Sequence, residues 1–308
     1  MTTGAVFAQA LIAAAAALVV LFAVTFAAGV RTGKHTVIDV AWGSGIAVAG
    51  LAGFLATLGH GDGPRRWLLL AATVVWGCRL AVHVAVRLRG AGEDPRYRDL
   101  LGRAPRGRNR YALRIVYLPQ VLVMLVATVP VVAGMAQPAP AGAVTAAGAA
   151  VWLFGFGFEA TGDWQLARFR ADPANHGHLM DRGLWRYTRH PNYFGDAAMW
   201  WGLFLISYAT PIQLVTVVSP LLMTFVLTRG TGQRMTDARM ARSHPDYAEY
   251  AARTSTFIPW RPRASRPASL PAVKSAGSSP WRRGAVSPAR PGRGRPARPG
   301  HRRQRRPA

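Results

Sequence analysis

The sequence predicts an all-α fold: a polytopic integral membrane helical bundle of about seven transmembrane helices, N-terminus outside and C-terminus cytoplasmic. Three observations predict it. Half of the 308 residues are apolar although the formal net charge is +25, a pairing foreign to soluble globular chains. Apolar stretches of roughly 18–25 residues, enough to cross about 30 Å of hydrocarbon as a helix, recur along residues 1–260. The loops between them alternate in their content of Lys and Arg, as the positive-inside rule requires of a chain that weaves back and forth.

The first stretch, residues 5–29 (AVFAQALIAAAAALVVLFAVTFAAG), lacks a basic start, is too long for a secretory signal and is followed by more spans, so it reads as a retained helix. Further spans are predicted at 36–59, 67–88, 111–134 and 141–166. The last two, 193–209 and 211–228, are parted only by Thr210-Pro211. Arg31 and Lys34 lie in the first loop, arginines crowd residues 87–110, and Arg168, Arg170, Arg182, Arg186 and Arg189 lie around the fifth loop. The even loops hold only Arg65 and Arg66, beside Asp62. The odd loops therefore face the cytoplasm. Of the 38 Lys and Arg residues, 14 fall within 261–308, which has no Asp or Glu and is filled out by Pro, Gly, Ser and Ala. That composition predicts a disordered basic tail appended to a membrane-embedded domain over 1–260. The tail suits acidic lipid headgroups; with no aromatic interleaving beyond Trp281 and no nucleic-acid fold motif, no specific nucleic acid is expected. A single Cys78 excludes an internal disulfide and a cysteine-rich metal site, and no metal is predicted.

Ionisable side chains inside spans mark functional candidates, because hydrocarbon makes them costly. Asp39 stands four residues into the second span, in TVIDVAWG. Arg79 lies mid-span in the third, with His83 one turn on along the same face; an arginine at that depth needs a carboxylate, which Asp39 or Glu159 could supply. In FGFGFEATGDWQLARFR, Glu159 and Asp163 are spaced i, i+4 and face one way, Arg170 follows two turns later, and Gly155, Gly157 and Gly162 permit close approach. The loop RGAGEDPRYRDLLGRAPRGR alternates acids with arginines that suit anionic lipid or a phosphorylated ligand.

Residues 183–196, GLWRYTRHPNYFGD, run straight into an apolar span. Pro191 suits the first position of a helix, where its missing N–H costs nothing. Arg186, Arg189 and His190 then gather at a helix N-terminus, which favours a phosphate or carboxylate. Asn192 and Asp196, again i, i+4, with Trp200 continuing the face, suit a flat polar ring such as a nicotinamide or an adenine.

The run GLWRYTRHPNYFGDAAMWWG, with GDWQLARFR before it, HPDYAEYAARTSTFIPW after it, and GEDPRYRDL and DVAWG upstream, resembles the bacterial membrane proteins grouped with the steroid 5α-reductase C-terminal domain, over about residues 31–260. The resemblance implies a membrane reductase that binds NADPH from the cytoplasm and reduces a carbon–carbon double bond in a lipophilic substrate entering from the bilayer. It places the protein in a bacterial inner membrane. Asp163, Arg170, Trp185, Asn192, Tyr193 and Trp200 match cofactor-contacting positions. Asp196 stands where steroid 5α-reductases carry Glu, Tyr250 matches a cofactor-proximal tyrosine, and Asp237 falls near an acidic position. Where steroid 5α-reductases use a Gln-Glu pair and a tyrosine on the substrate, this chain offers Asp39, Trp42 and Trp76; an indole gives up no proton at neutral pH, which argues against a steroid enone. On this reading Arg170, Arg186 and Arg189 neutralise the phosphates, Asn192 and Asp196 fix the nicotinamide, and Glu159 or Asp39 donates the proton. Two rivals are an S-adenosylmethionine-dependent methyltransferase related to the isoprenylcysteine carboxyl methyltransferases, which share an RHPxY-like motif, and a non-enzymatic membrane protein acting through its basic tail.

Overall fold

Asp62 shows how local sequence sets the helix boundaries. Its carboxylate accepts from the Arg65 amide (3.0 Å) and from the Ala141 amide (3.2 Å), with Pro64 next in line, so α3 (Gly63–Leu88) starts there. At the chain start, the Thr2 hydroxyl accepts from the Ala5 amide at 3.3 Å and opens α1 (Thr3–Thr32), which Gly33 closes at φ 67°. The remaining helices are α2 (Ile38–Ala56), α4 (Pro95–Gly102), α5 (Arg108–Ala112), α6 (Leu118–Met135), α7 (Ala143–Ala171), α8 (Pro191–Ser207), α9 (Val218–Thr228), α10 (Gln233–Ser243) and α11 (Tyr247–Arg253). The computed structural model describes residues 1–104, 107–230 and 232–264; the basic tail expected over 261–308 lies outside them from residue 265 onward. Among the described residues there is no strand, only an isolated bridge between Thr188 and Ser255.

Six segments are long and apolar enough to cross a membrane: Thr3–Thr32, His35–Ala56, Gly63–Leu88, Arg108–Met135, Ala143–Ala171 and Pro211–Ser243. Six of the seven expected spans fall on them. The other, 193–209, becomes α8, which has 17 residues and a polar first turn. The last segment is composite: a 3₁₀ stretch at Pro211–Val217 leads into α9, and the hydrophilic α10 follows a break. Helix α7 runs five residues past its expected end, so Arg168 and Arg170 ride on its last turn.

Buried side chains of α1, α2, α3 and α6, among them Leu18, Phe22, Ile46, Leu69, Met124 and Val131, form one core that continues into Met199 and Leu203 of α8. Lipid tails are as apolar as these side chains, so contact between helices depends on close packing rather than on escape from water. Glycine supplies it along the α7–α8 seam. A Cβ on Gly155 would lie 2.6 Å from the Gly195 carbonyl oxygen, and one on Gly202 would lie 2.6 Å from the Trp152 amide nitrogen. Gly43 of α2 and Gly77 of α3 face each other in the same way.

At one end of the bundle the two arginines in the first turn of α3 are consumed internally. Arg65 donates to the carbonyls of Ala139 (2.5 Å) and Pro140 (3.1 Å); Arg66 donates to the Phe54 carbonyl (2.9 Å) and the Thr57 hydroxyl (3.1 Å). The Ala139 and Pro140 carbonyls lie in a loop, and the Phe54 carbonyl lies at the end of α2, where intrahelical partners run out.

At the other end Glu93 acts as a cap delivered from a distant loop. It accepts from the amides of His35 (2.9 Å) and Thr36 (2.8 Å), from the Thr36 hydroxyl, and from Arg108 (2.7 Å). Burial by itself raises this carboxyl; the hydrogen bonds from Thr36 and from the two amides, with the Arg108 charge, outweigh it and hold Glu93 below its ordinary value of 4.5. A carboxyl lowered by folding contributes stability that is complete above the unfolded value and is lost as pH falls through the folded one. The stability margin of the wild type over Glu93→Gln is therefore expected to be constant above about pH 5 and to shrink as pH drops below the ordinary carboxyl value, read by thermal unfolding in detergent. A margin that stays flat down to about pH 3 would show that Glu93 titrates normally.

Candidate functional site

Three helices each contribute a pair of polar residues one turn apart, and the pairs meet. Arg79 and His83 lie on α3, Glu159 and Asp163 on α7, Asp196 and Trp200 on α8. Arg79 Nη2 donates to Glu159 Oε1 at 2.7 Å and to Asp163 Oδ2 at 2.8 Å. His83 Nε2 approaches Asp163 Oδ2 at 3.9 Å. Of the two partners the sequence left open for Arg79, Glu159 is the one, and Asp163 shares the guanidinium. Both carboxylates are buried, at 4% and 8% exposure.

Two indoles wall this cluster. Trp76 Nε1 donates to Glu159 Oε2 (2.9 Å), Trp200 Nε1 donates to Asp196 Oδ1 (2.8 Å), and the rings meet edge to face with centroids 5.5 Å apart. Glycine brings the helices this close: a Cβ on Gly195, next to Asp196, would fall 2.5 Å from the Glu159 amide nitrogen. Trp76 therefore hydrogen-bonds an acid of the site, a role that its comparison with a tyrosine position did not anticipate. The cluster holds three carboxylates against one guanidinium, a balance suited to keeping a proton.

Asp39 belongs to a different group. Its carboxylate accepts from the Tyr97 hydroxyl (2.7 Å) and from Arg96 (3.0 Å), with Arg87 at 3.9 Å. Burial, and then the Asp39 charge, push the Tyr97 phenol far up, so it stays a donor.

The RHPNY stretch is clasped to the chain's later segment. His190 is 3% exposed, and its Nε2 lies 2.8 Å from Asp237 Oδ1. Arg189 reaches the same carboxylate at 3.3 Å and donates to the Tyr247 hydroxyl (3.2 Å) and the Thr256 hydroxyl (2.8 Å); Tyr247 also donates to Asp237. The His190 ring stacks on Tyr193, whose hydroxyl pairs with Thr236 at 3.3 Å. The backbone completes the clasp: the Arg189 amide donates to the Ser255 carbonyl (2.9 Å), the Thr188 hydroxyl to the Phe257 carbonyl (2.8 Å) and the Trp260 amide to the Tyr187 carbonyl (3.0 Å). Trp185 donates from its indole to the Gly162 carbonyl (3.0 Å) and accepts at its own carbonyl from Tyr250 (2.6 Å). Burial raises the Tyr250 phenol, which keeps that donor protonated.

The expected site residues thus divide. Glu159, Asp163, Asp196 and Trp200 come together in the deep cluster. Arg189, His190, Tyr193 and Asp237 form the clasp, where Arg189 and His190 meet a carboxylate of the chain itself. Trp185 and Tyr250 touch each other. Asn192 stands between the two groups, its Oδ1 accepting from the Tyr193 amide at 3.1 Å. Arg170 and Arg186 are exposed. Sequence reasoning missed Tyr247, Thr236 and Thr256. The only sequence signal for Tyr247 and Thr256 was their membership of HPDYAEYAARTSTFIPW.

The chain belongs to the family described as protein of unknown function (DUF1295), whose model matches residues 25–254. No curated protein and no solved structure matches it.

Proposed function

We propose that this member of a family without an assigned activity is a membrane-embedded reductase that uses NADPH to saturate a carbon–carbon double bond in a lipophilic substrate, steroid-, isoprenoid- or lipid-like, taken from the bilayer. The observation that carries the reading is the cluster of Arg79, Glu159, Asp163 and Asp196 between two buried indoles. Buried acids in excess of their cations hold a proton in reserve, which a double-bond reduction consumes. Glu159 has both oxygens engaged, one by Arg79 and one by Trp76, and Asp39 is engaged by Arg96 and Tyr97. Asp196 meets only the Trp200 indole and no guanidinium. The role of proton donor, expected of Glu159 or Asp39, passes on this reading to Asp196, from its Oδ2.

The residues around the cluster fit the cofactor. Asn192 and Asp196 set a carboxamide and a carboxyl group on one face of the first turns of α8, donor and acceptor atoms that can pair with a ring bearing its own carboxamide. When bound, NADPH supplies the hydride. Asp196 delivers the proton to the neighbouring carbon, while Trp76 and Trp200 keep water from the reacting atoms. Arg170 and Arg186 are available for phosphates; Arg189 and His190 serve instead to hold the start of α8 in place.

The same reading counts α8 as a seventh crossing and sets the N-terminus outside and the C-terminus in the cytoplasm of a bacterial inner membrane. Internal capping by Arg65 and Arg66 supports the orientation, because it leaves the outward turns with no solvent-facing arginine. A methyltransferase reading draws support from the acid excess, which also suits the sulfonium of S-adenosylmethionine. Thermal shift of the purified protein separates the two: NADPH is expected to raise the melting temperature and S-adenosylmethionine to leave it unchanged, since a ligand stabilises the state that binds it. The opposite pattern would overturn the reductase assignment.

A further inference from the structure

We propose that the end of α7 and the turn after it form a seat for the headgroup of an anionic phospholipid, on the side of α7 turned away from the acid cluster. An open-sided cavity of about 350 Å³ lies there, its lining including Trp164, Gln165, Arg168, Asp172, Asn175 and Arg182. Leu153, Phe154, Gly157, Thr161, Trp164 and Arg168 are all exposed, and helical spacing sets them opposite Glu159 and Asp163. The 29 residues of α7 rise about 43 Å, roughly the thickness of a bilayer with its headgroups. Hydrocarbon covers about 20 of them, so counted from Ala143 it ends near Gly162. An apolar stripe thus runs along the lipid-facing side of α7 and stops where Arg168 and the cavity begin, as acyl chains stop at a headgroup.

Contacts within the chain fix the walls. Gly183, at φ 59°, packs so closely that a Cβ on it would lie 2.5 Å from Gln165 Nε2, and the Leu184 amide donates to Gln165 Oε1 at 2.9 Å. Asn175 donates to the Phe169 carbonyl at 3.0 Å, which folds the turn back onto the helix end. The Arg168 guanidinium lies 5.6 Å from the centre of the Trp164 ring, a cation–π contact that keeps it at the cavity edge. Nearby acids are in use: Asp172 accepts from the Ala174 amide (2.9 Å), and Asp181, beside Arg182, is bound by Arg253 (2.5 Å). Among the described residues no ion pair involves Arg168 or Arg182. Two arginines and one carboxylate leave the lining one positive charge in excess, which a singly charged phosphodiester headgroup neutralises. Its phosphate accepts charge-assisted hydrogen bonds from Arg168 and Arg182, and the hydroxyls of a glycerol head donate to Asp172 and to Asn175 Oδ1. A zwitterionic headgroup leaves that charge uncompensated.

The seat does not rest on the reductase reading, and its test needs no turnover. Full-length protein in neutral detergent is photolabelled with a phosphatidylglycerol that carries a diazirine in an acyl chain, and the labelled peptides are mapped by mass spectrometry. In the wild type the label is expected on the exposed side of α7 between residues 153 and 164. The double variant Arg168→Gln/Arg182→Gln is expected to lose roughly tenfold of that label at sub-saturating lipid, since exposure weakens each charged hydrogen bond. Arg182→Gln alone, which leaves α7 untouched, is expected to lose roughly threefold. The control pair Arg170→Gln/Arg186→Gln removes the same charge from exposed positions outside the cavity lining and is expected to label as wild type does. Equal losses in the two pairs would reduce the effect to general surface charge and overturn the seat. Unlabelled phosphatidylglycerol is expected to displace the label at roughly tenfold lower concentration than phosphatidylcholine with the same chains; equal displacement overturns the choice of an anionic headgroup. Inorganic phosphate displacing as well as the lipid would make this a site for free phosphate and overturn the lipid assignment. No label between residues 153 and 164 of the wild type, or unchanged label there in both folded variants of the seat, overturns the proposal.

Discussion

Arg79→Met is expected to destabilise the protein by about 3 kcal/mol, the low end of the range for stranding a buried charge, because a fifth of the arginine side chain is exposed. The change removes the one guanidinium shared by Glu159 and Asp163 and leaves two carboxylates facing each other across one turn of α7. The loss is expected to come from the stranded acids, more than from the pair's own attraction. The triple variant Arg79→Met/Glu159→Gln/Asp163→Asn should therefore recover most of it, because it removes the charges together. Thermal unfolding in one detergent, compared across the wild type, the single and the triple variant, reads both effects. A single variant as stable as wild type would show that the acids are neutral without Arg79, and a triple variant no better than the single would place the cost in packing against Phe156.

On the proposed reductase reading, Asp196→Asn is expected to reduce NADPH-dependent turnover by roughly a hundredfold or more, the lower bound for losing a positioned general acid. The substitution keeps size and shape, and its Oδ1 still accepts from the Trp200 indole. Binding of NADPH should change far less than turnover, so single-turnover oxidation of bound NADPH separates proton delivery from affinity. Equal loss of binding and turnover would make Asp196 a cofactor anchor only. Full activity in the variant would return the proton to Glu159.

The parts of this structure that follow from local spacing were legible in the sequence. Apolar runs of spanning length marked the long helices, and the i, i+4 spacing of Glu159 with Asp163 and of Asn192 with Asp196 placed each pair on one face. Depth alone told that Arg79 needed an acid. Which acid it met was not legible, because that depends on how α3 and α7 register, and Asp39 and Glu159 satisfied the same requirement. The use of Arg189 and His190 was hidden for a similar reason: Asp237 lies some 48 residues downstream, and a basic helix start reads the same with or without such a partner. Glu93 presents the converse case. In its loop it looked like one acid among arginines, whereas its work is to cap a helix start that precedes it by 57 residues.

The glycine seam between α7 and α8 has a mechanical consequence. Where two backbones touch at Gly155, Gly195 and Gly202, neither helix can slide or roll past the other without collision, so the pair moves as one plate that carries Glu159, Asp163 and Asp196 with it. Helix α3 meets that plate near the site through Arg79, Trp76 and His83, polar links that break and reform more readily than interlocked backbones separate. Any widening between these helices is therefore expected along the α3 side, where Arg79 alone spans from one side to both acids of α7.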